Sequence, residues 1–363
     1  MPQGKVERED WSLLENDRVL VSYPVDMYLG KELDVLKLRS ETTEELLDYA
    51  KKFGAIIRSL YADKEKLHKI SVCPCCRAAE DRLQPAIEVY EVLYVRCVDC
   101  GHVFIAKQPL PEALFSSFEE EEDLSVFYVD PNTLEMRMRD IIQPKLDWML
   151  DVYQRHVGRK PTSILDVGAG GGHFVAGCQQ AGLKAEGLEL SSTSVRFARE
   201  ALGVKLQHGN YLDQIIETGR FDLLTFWGLL EYAPDPAAFF RSARQQLQPD
   251  CGMLIVEVPR SDSFCLAVQE QFRETIWRHA MPDSHMNLYS DASLATLLHD
   301  NGFKPVAAWY FGMDIYELVM QMGMALGSDD ILRRFGRLVS PLQNFVDRAR
   351  LTDDIVVAAV PVS

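Results

Sequence analysis

At 363 residues and 47% hydrophobic content, the chain is long enough for two or three packed domains. Its formal net charge of −16 repels a polyphosphate backbone and weighs against DNA or RNA as substrate. The first twenty residues are charged throughout, and no later run approaches the roughly 18 apolar residues that span a bilayer, so neither export nor membrane insertion is expected. Five of the 8 cysteines fall between positions 73 and 100, which is clustering for metal rather than for disulfides and fits a reducing cytoplasm.

Residues 1–70 read as a helical N-terminal segment. Thr42 and Glu45 form a possible capping box ahead of apolar positions 46, 47, 50, 53, 56, 57, 60 and 61, whose stripe must pack on a bundle or on a second copy of the chain. Residues 71–110 form a small ribbon. There Cys73-Pro-Cys-Cys76 and Cys97-Val-Asp-Cys100 are two CxxC knuckles 20 residues apart, flanking short strands in IEVYEVLYVRC. Four thiolates at this spacing suit a tetrahedral, structural Zn2+ on Cys73, Cys76, Cys97 and Cys100; Cys75 competes with a neighbour, and His102 is not expected to ligate. Residues 111–160 supply connecting or cap helices, with Pro144 kinking or dividing a helix over 132–153, and the acidic run Glu119 to Asp123 reads as a solvated loop.

From Ser163 onward, short apolar runs alternate with helical stretches, which implies an α/β domain over 161–363 with a parallel sheet covered on both faces. A helical insertion at about 313–350 would stand beside the ligand edge or form a dimer surface. Asp166-Val-Gly168-Ala169-Gly170-Gly-Gly172 follows a strand and opens a helix, where glycines allow a tight turn and the helix start offers free N–H groups. The third glycine comes one position too early for the dinucleotide fingerprint, because His173 stands where it requires glycine.

The loop resembles the first motif of class I S-adenosylmethionine (SAM) dependent methyltransferases, Asp/Glu-x-Gly-x-Gly-x-Gly. Glu189, 23 residues after Asp166, ends the second strand, where a carboxylate can accept both ribose hydroxyls. The resemblance implies a Rossmann-like sheet, mostly parallel with its last strand antiparallel, and a SAM site built from named residues. Asp166, Gly168, Ala169, Gly170, Gly172 and Phe174 would lie at the methionine end, Glu189 and Leu190 at the ribose, Asn210 and Tyr211 beside the adenine, and Trp227 and Gly228 would close the pocket.

In FWGLLEYAPDP the segment resembles the Leu-Glu-His followed by Asp-Pro of small-molecule and ubiquinone-pathway members, with Tyr232 in place of the histidine. His285-Met-Asn-Leu-Tyr289-Ser resembles a second segment of the same enzymes. A zinc ribbon before such a core is similar to two arrangements, nucleotide-sugar and natural-product methyltransferases or ribosomal RNA base methyltransferases. The ribbon's net charge of −1 favours the small-molecule branch.

The expectation is methyl transfer to the oxygen or carbon of a sugar or related intermediate, with a homodimer possible; an RNA methyltransferase and a non-catalytic SAM-binding subunit remain open. Of the groups carried by the loops after strands four and five (Glu231, Tyr232, His279 and His285), His285 is the candidate base, and Glu231 and Tyr232 would orient it or bind the acceptor.

Overall fold

A computed structural model describes residues 7–15, 18–31, 35–38, 41–110, 133–213 and 220–362. The acidic run at 119–123 and the start of the expected 111–160 connector lie outside the described residues. The strands are β1 (Glu7–Glu15), β2 (Arg18–Leu29), β3 (Leu67–Lys69), β4 (Leu83–Val89), β5 (Val92–Cys97), β6 (Val103–Ile105), β7 (Lys107–Pro109), β8 (Ser163–Val167), β9 (Lys184–Glu189), β10 (Gln207–His208), β11 (Leu223–Trp227), β12 (Met253–Pro259), β13 (Asn287–Leu288), β14 (Phe303–Phe311) and β15 (Asp354–Pro361). The longer helices are α1 (Thr43–Leu60), α2 (Gln143–Val157), α3 (His173–Gln180), α4 (Ser192–Ala201), α5 (Pro236–Gln246), α6 (Phe264–Gln269), α7 (Asp291–Asp300), α8 (Asp314–Leu326) and α9 (Asp330–Arg348).

Nine strands form one sheet in the order β1-β2-β14-β15-β12-β11-β8-β9-β10. Strands β8 to β12 pair in parallel, whereas β15 runs antiparallel to both β12 and β14. The chain winds outward from β8 through β9 to β10 and then crosses to β11 on the other side of β8, so the carboxyl ends of β8 and β11 border a topological switch point. Both sheet faces are covered: Leu165, Leu224 and Val256 enter one core, and their neighbours Ile164, Leu223 and Ile255 enter the other.

The N-terminus departs from the sequence expectation of a helical 1–70. Residues 7–29 form a hairpin, and β2 lies parallel to β14, extending the main sheet. Tyr23, Val25 and Met27 turn inward on alternate positions, the period-2 signature of a half-covered strand. Tyr28 packs edge-on to Trp148 at 5.8 Å, and Trp148 stacks at the same distance on Trp309, which joins the hairpin to α2 and β14. Trp309 is fully buried and donates its Nε1–H to Gly30 O at 2.8 Å. Trp309→Ala is therefore expected to destabilise the chain by about 3–5 kcal/mol, read as a fall in the denaturant midpoint at unchanged slope.

Helix α1 starts at Thr42 with both capping-box bonds present, Glu45 N–H to Thr42 Oγ1 at 3.2 Å and Thr42 N–H to Glu45 Oε2 at 2.8 Å. Pro144 neither kinks nor divides its helix. The chain stays helical from Leu134 to Val157, a π-helical turn at Met138–Ile142 comes just before, and the proline falls in the first turn of α2, where its missing N–H costs little. A second sheet, β13-β6-β5-β4, places the ribbon hairpin β4–β5 against β13 from the main domain. Tyr90 and Glu91 fill the tight turn of that hairpin at φ of 48° and 69°. Among the described residues no helix is long and apolar enough to cross a membrane.

Candidate active site and metal centre

Because β2, β8, β9, β11, β12 and β14 all run the same way, their carboxyl ends share one edge. The glycine loop turns there, with Gly168, Gly170 and Gly172 at φ of 70°, 52° and 77°, values that L side chains rarely adopt. Space constrains two of them as well: a Cβ on Gly168 would meet Leu229 at 2.9 Å, and one on Gly172 would meet Ala198 at 2.9 Å. A Cβ on Gly170 would meet nothing within 4 Å, so open space lies over the middle of the loop.

Glu189 sits across this space from β9. Its carboxylate accepts Gly170 N–H through Oε2 and Ser191 N–H through Oε1, both at 2.7 Å, which ties the loop to the start of α4. Asp166 lies beneath, its Oδ1 accepting the Thr225 hydroxyl at 2.7 Å, and burial pushes its carboxyl up to about 7. Phe174 packs on Trp227 at 5.1 Å. Leu190 is exposed, Asn210 is held in a local turn with Leu212 N–H and Asp213, and the Tyr211 ring is buried between Phe226 and Phe239 rather than turned to the edge.

Further along the edge, the groups able to move a proton gather after β11 and β12. Gly228, at φ 60°, brings the backbone so close to Glu231 that a Cβ there would lie 3.1 Å from Oε1. Glu231 Oε1 stands 4.0 Å from His285 Nε2, while its other oxygen is buried without a hydrogen-bond partner. His285 Nδ1 meets the carbonyl of His279, which can only accept, so the proton is on Nδ1 and Nε2 faces Glu231 with its lone pair. Burial pushes the Glu231 carboxyl up to about 8 and pulls His285 down to about 4. Tyr232 packs edge-on to the His285 ring at 6.1 Å. His279 is differently placed: its Nε2 is 3.0 Å from the Arg260 carbonyl, and it is buried.

A carboxyl raised in the fold takes up a proton on folding between its two pKa values, so stability falls as pH rises from its unfolded value toward the folded one. Glu231→Gln is thus expected to flatten the loss of thermal stability between about pH 4.5 and 8, measured as melting temperature against pH beside the parent. Parallel curves for the two proteins would contradict a buried, proton-bearing Glu231.

Two charged groups absent from the sequence expectation join this edge. Lys145 of α2 forms an ion pair with Glu257 of β12, and its ammonium lies 4.7 Å over the Trp227 ring. Lys31, just after β2, lies 4.9 Å from the Phe311 ring. No motif marks either lysine; only the parallel course of β2 along β14 and the packing of α2 bring them to the edge.

The ribbon gathers Cys73, Cys76, Cys97 and Cys100 with all four sulfurs within 4.8 Å of one another. Cys73 and Cys100 are 3.6 Å apart and Cys76 and Cys97 3.5 Å, too far for disulfides and close to the about 3.8 Å edge of a tetrahedron with arms of about 2.3 Å. The donor set therefore fits a zinc ion. Cys75 is buried outside the cluster, and His102 Nε2 turns away to Asn287 Oδ1 at 3.1 Å. Asn287 in turn donates to Ala233 O at 2.8 Å, which links the second knuckle to the loop that carries Glu231.

A strand order with its switch point at β8 and β11, a glycine loop opening α3 and a carboxylate at the end of β9 define the class I SAM-dependent methyltransferase fold. Residues 138–308 match the family model described as "Methyltransferase domain". Ubiquinone biosynthesis O-methyltransferase of Ralstonia nicotianae is 28% identical over 158 residues, 41% of this chain and 64% of that protein. The Yersinia enterocolitica protein of the same name is 30% identical over 134 residues, 34% of this chain and 53% of that one. The matches thus span between about half and two thirds of these relatives' length. The plantazolicin methyltransferase BamL, solved with a substrate analogue and S-adenosylhomocysteine (SAH), shares 15% identity at a TM-score of 0.46, covering 69% of this chain and 94% of that one.

Proposed function

We propose that the chain transfers the methyl group of SAM to a small-molecule acceptor, a sugar or related biosynthetic intermediate, at oxygen or carbon. The observation that carries this reading is the open space over Gly170 beside Glu189, on the same sheet edge as Glu231 and His285. SAM, when bound, supplies an activated methyl on a sulfonium. Gly168 to Gly172, Asp166 and Phe174 would hold the methionine end, Glu189 and Leu190 the ribose, and Asn210 and Tyr211 would border the adenine, Tyr211 through its backbone. Trp227 and Gly228 would separate cofactor from acceptor.

The proton lost by the acceptor passes to the Glu231–His285 pair. His285 Nε2 is unprotonated and faces Glu231 at 4.0 Å, so it can take up a proton beside that carboxyl. With burial drawing His285 down to about 4 and Glu231 up to about 8, His285 is the unprotonated member of the pair below about pH 8, and the Glu231 carboxylate becomes available as a base only above it. Tyr232 would border the acceptor. Ubiquinone-pathway relatives named O-methyltransferases support oxygen as the acceptor atom.

Zinc on the four cysteines is part of the same proposal: closed by four thiolates, it leaves no position for a substrate and acts through structure. The domain reading follows, with the ribbon at 71–110, connecting helices over 111–160 and the methyltransferase domain at 161–363 carrying α8 and α9 as its insertion. A reducing cytoplasm would keep the thiols free to ligate.

The partner proposed beyond the acceptor is a second copy of the chain. Phe335, Leu338, Leu342 and Phe345 form an exposed apolar stripe on α9, which the same stripe of a second copy would cover. Sedimentation of the parent and of Phe345→Glu tests it: a dimer reduced to monomer is expected, and a monomeric parent removes the idea. The function itself is tested by calorimetric titration with SAH, followed by release of SAH from SAM in the presence of candidate hydroxylated sugars and phenols. Absence of SAH binding would overturn the reading.

A further inference from the structure

Lys31 has a place in the active edge that the methyl-transfer reading leaves without a task. The residue before it is fixed twice, by Gly30 N–H to Tyr310 O at 2.8 Å and by the Trp309 indole N–H to Gly30 O at 2.8 Å. Because β2 runs parallel to β14, this anchored turn delivers the side chain to the carboxyl edge rather than to the opposite end of the sheet. Its ammonium lies 4.9 Å from the Phe311 ring centroid and 6.0 Å from that of Trp309.

Lys145 on the same edge is neutralised by Glu257. Lys31 makes no such pair: among the described residues no carboxylate oxygen comes within ion-pair distance of it. Burial and the charge of Lys145 draw its ammonium down to about 8, against the opposing pull of Glu257, Asp354 and Asp140. A half-buried cation with aromatic rings beside it and no counter-ion among the described residues leaves part of its coordination for a ligand.

We propose that Lys31 anchors an anionic group, a carboxylate or a phosphate, carried by the methyl acceptor. The proposal rests on the reading of this edge as the methyl-transfer site. It makes the N-terminal hairpin a part of acceptor recognition: the extra parallel strand adds a binding group to the edge as well as width to the sheet.

The test uses the full-length, zinc-replete protein saturated with SAH, its lysines reductively methylated with carbon-13, and the Lys31 signal assigned by its loss in Lys31→Met. Inorganic phosphate and sodium benzoate are titrated separately to about 50 mM, with sodium chloride at matched ionic strength as reference. The expected result is a saturable shift of the Lys31 signal with one of the two anions. Its titration midpoint should also rise by at least about one pH unit, a tenfold preference for the charged form. The anion that produces the shift separates a carboxylate-bearing from a phosphate-bearing acceptor. Lys31→Arg, which keeps the charge, should bind that anion to within about threefold of the parent by calorimetry, whereas Lys31→Met should not bind it. Shifts no larger than those with chloride, or equal anion binding by Lys31→Met, would overturn the proposal. SAH binding, measured in the same samples, reports on the methyl-transfer reading: its loss in the parent removes that reading, while retained SAH binding without an anion shift removes only the anchor.

Discussion

Removing zinc from the four-cysteine ribbon, by chelation or by Cys97→Ser, is expected to unfold the ribbon and to lower methyl transfer at least about tenfold while SAH still binds. A closed structural zinc site supplies on the order of 10 kcal/mol of folding free energy, more than a ribbon of this size gains from its own core. The effect should reach the active edge because β6 pairs with β13, Ser290 Oγ donates to Cys100 O, and Ser261 Oγ donates to Gly101 O at 3.0 Å. Through His102, Asn287 and Ala233 the second knuckle also braces the loop of Glu231, whereas the glycine loop and Glu189 belong to strands it does not touch. Metal content by emission spectroscopy, melting by circular dichroism and SAH titration decide it. A metal-free chain with the parent's melting curve and turnover would refute the structural role of the site.

Glu189→Ala should weaken SAH binding by roughly 30- to 100-fold, the largest loss anticipated for a single side chain at the cofactor edge. Two effects add. The carboxylate is the candidate partner for the ribose hydroxyls, and each hydrogen bond to a charged group is worth about 1.5–3 kcal/mol. It also receives Gly170 N–H and Ser191 N–H, so its removal loosens the loop that must hold the methionine end. Glu189→Gln keeps one acceptor oxygen and should lie between the two in affinity. Calorimetry with SAH reads all three proteins; an alanine variant within about threefold of the parent would move the ribose site elsewhere.

The nucleotide edge was legible in the residues because its chemistry is local. Glycines at 168, 170 and 172 are demanded by positive φ within one turn, and Glu189 follows from the length of one helix and one strand. The CxxC knuckles are local in the same sense: each tight turn holds its own pair of sulfurs, and only their meeting needs the fold. The capping box at Thr42 likewise depends on four consecutive residues.

Long-range features were less legible. The alternation of Tyr23, Val25 and Met27 was a readable strand signal, but nothing in residues 7–29 names β14 as its neighbour. The Tyr211 ring turns into the core because Phe226 and Phe239 offer it a packed surface, which no motif at 210–211 announces. The basicity of His285 and the proton affinity of Glu231 are set by burial and by the His279 carbonyl, which belong to the packed loops rather than to either residue type.

By itself, then, the sequence determined the class of fold, the glycine loop and the four-cysteine cluster, since each depends on residue type and spacing over a few tens of residues. Tertiary structure alone decided which charges share the acceptor edge. Lys31, Lys145, Glu231, Glu257 and His285 come from five separate parts of the chain, and only the parallel alignment of β2, β11, β12 and β14 carries them to one side of the sheet.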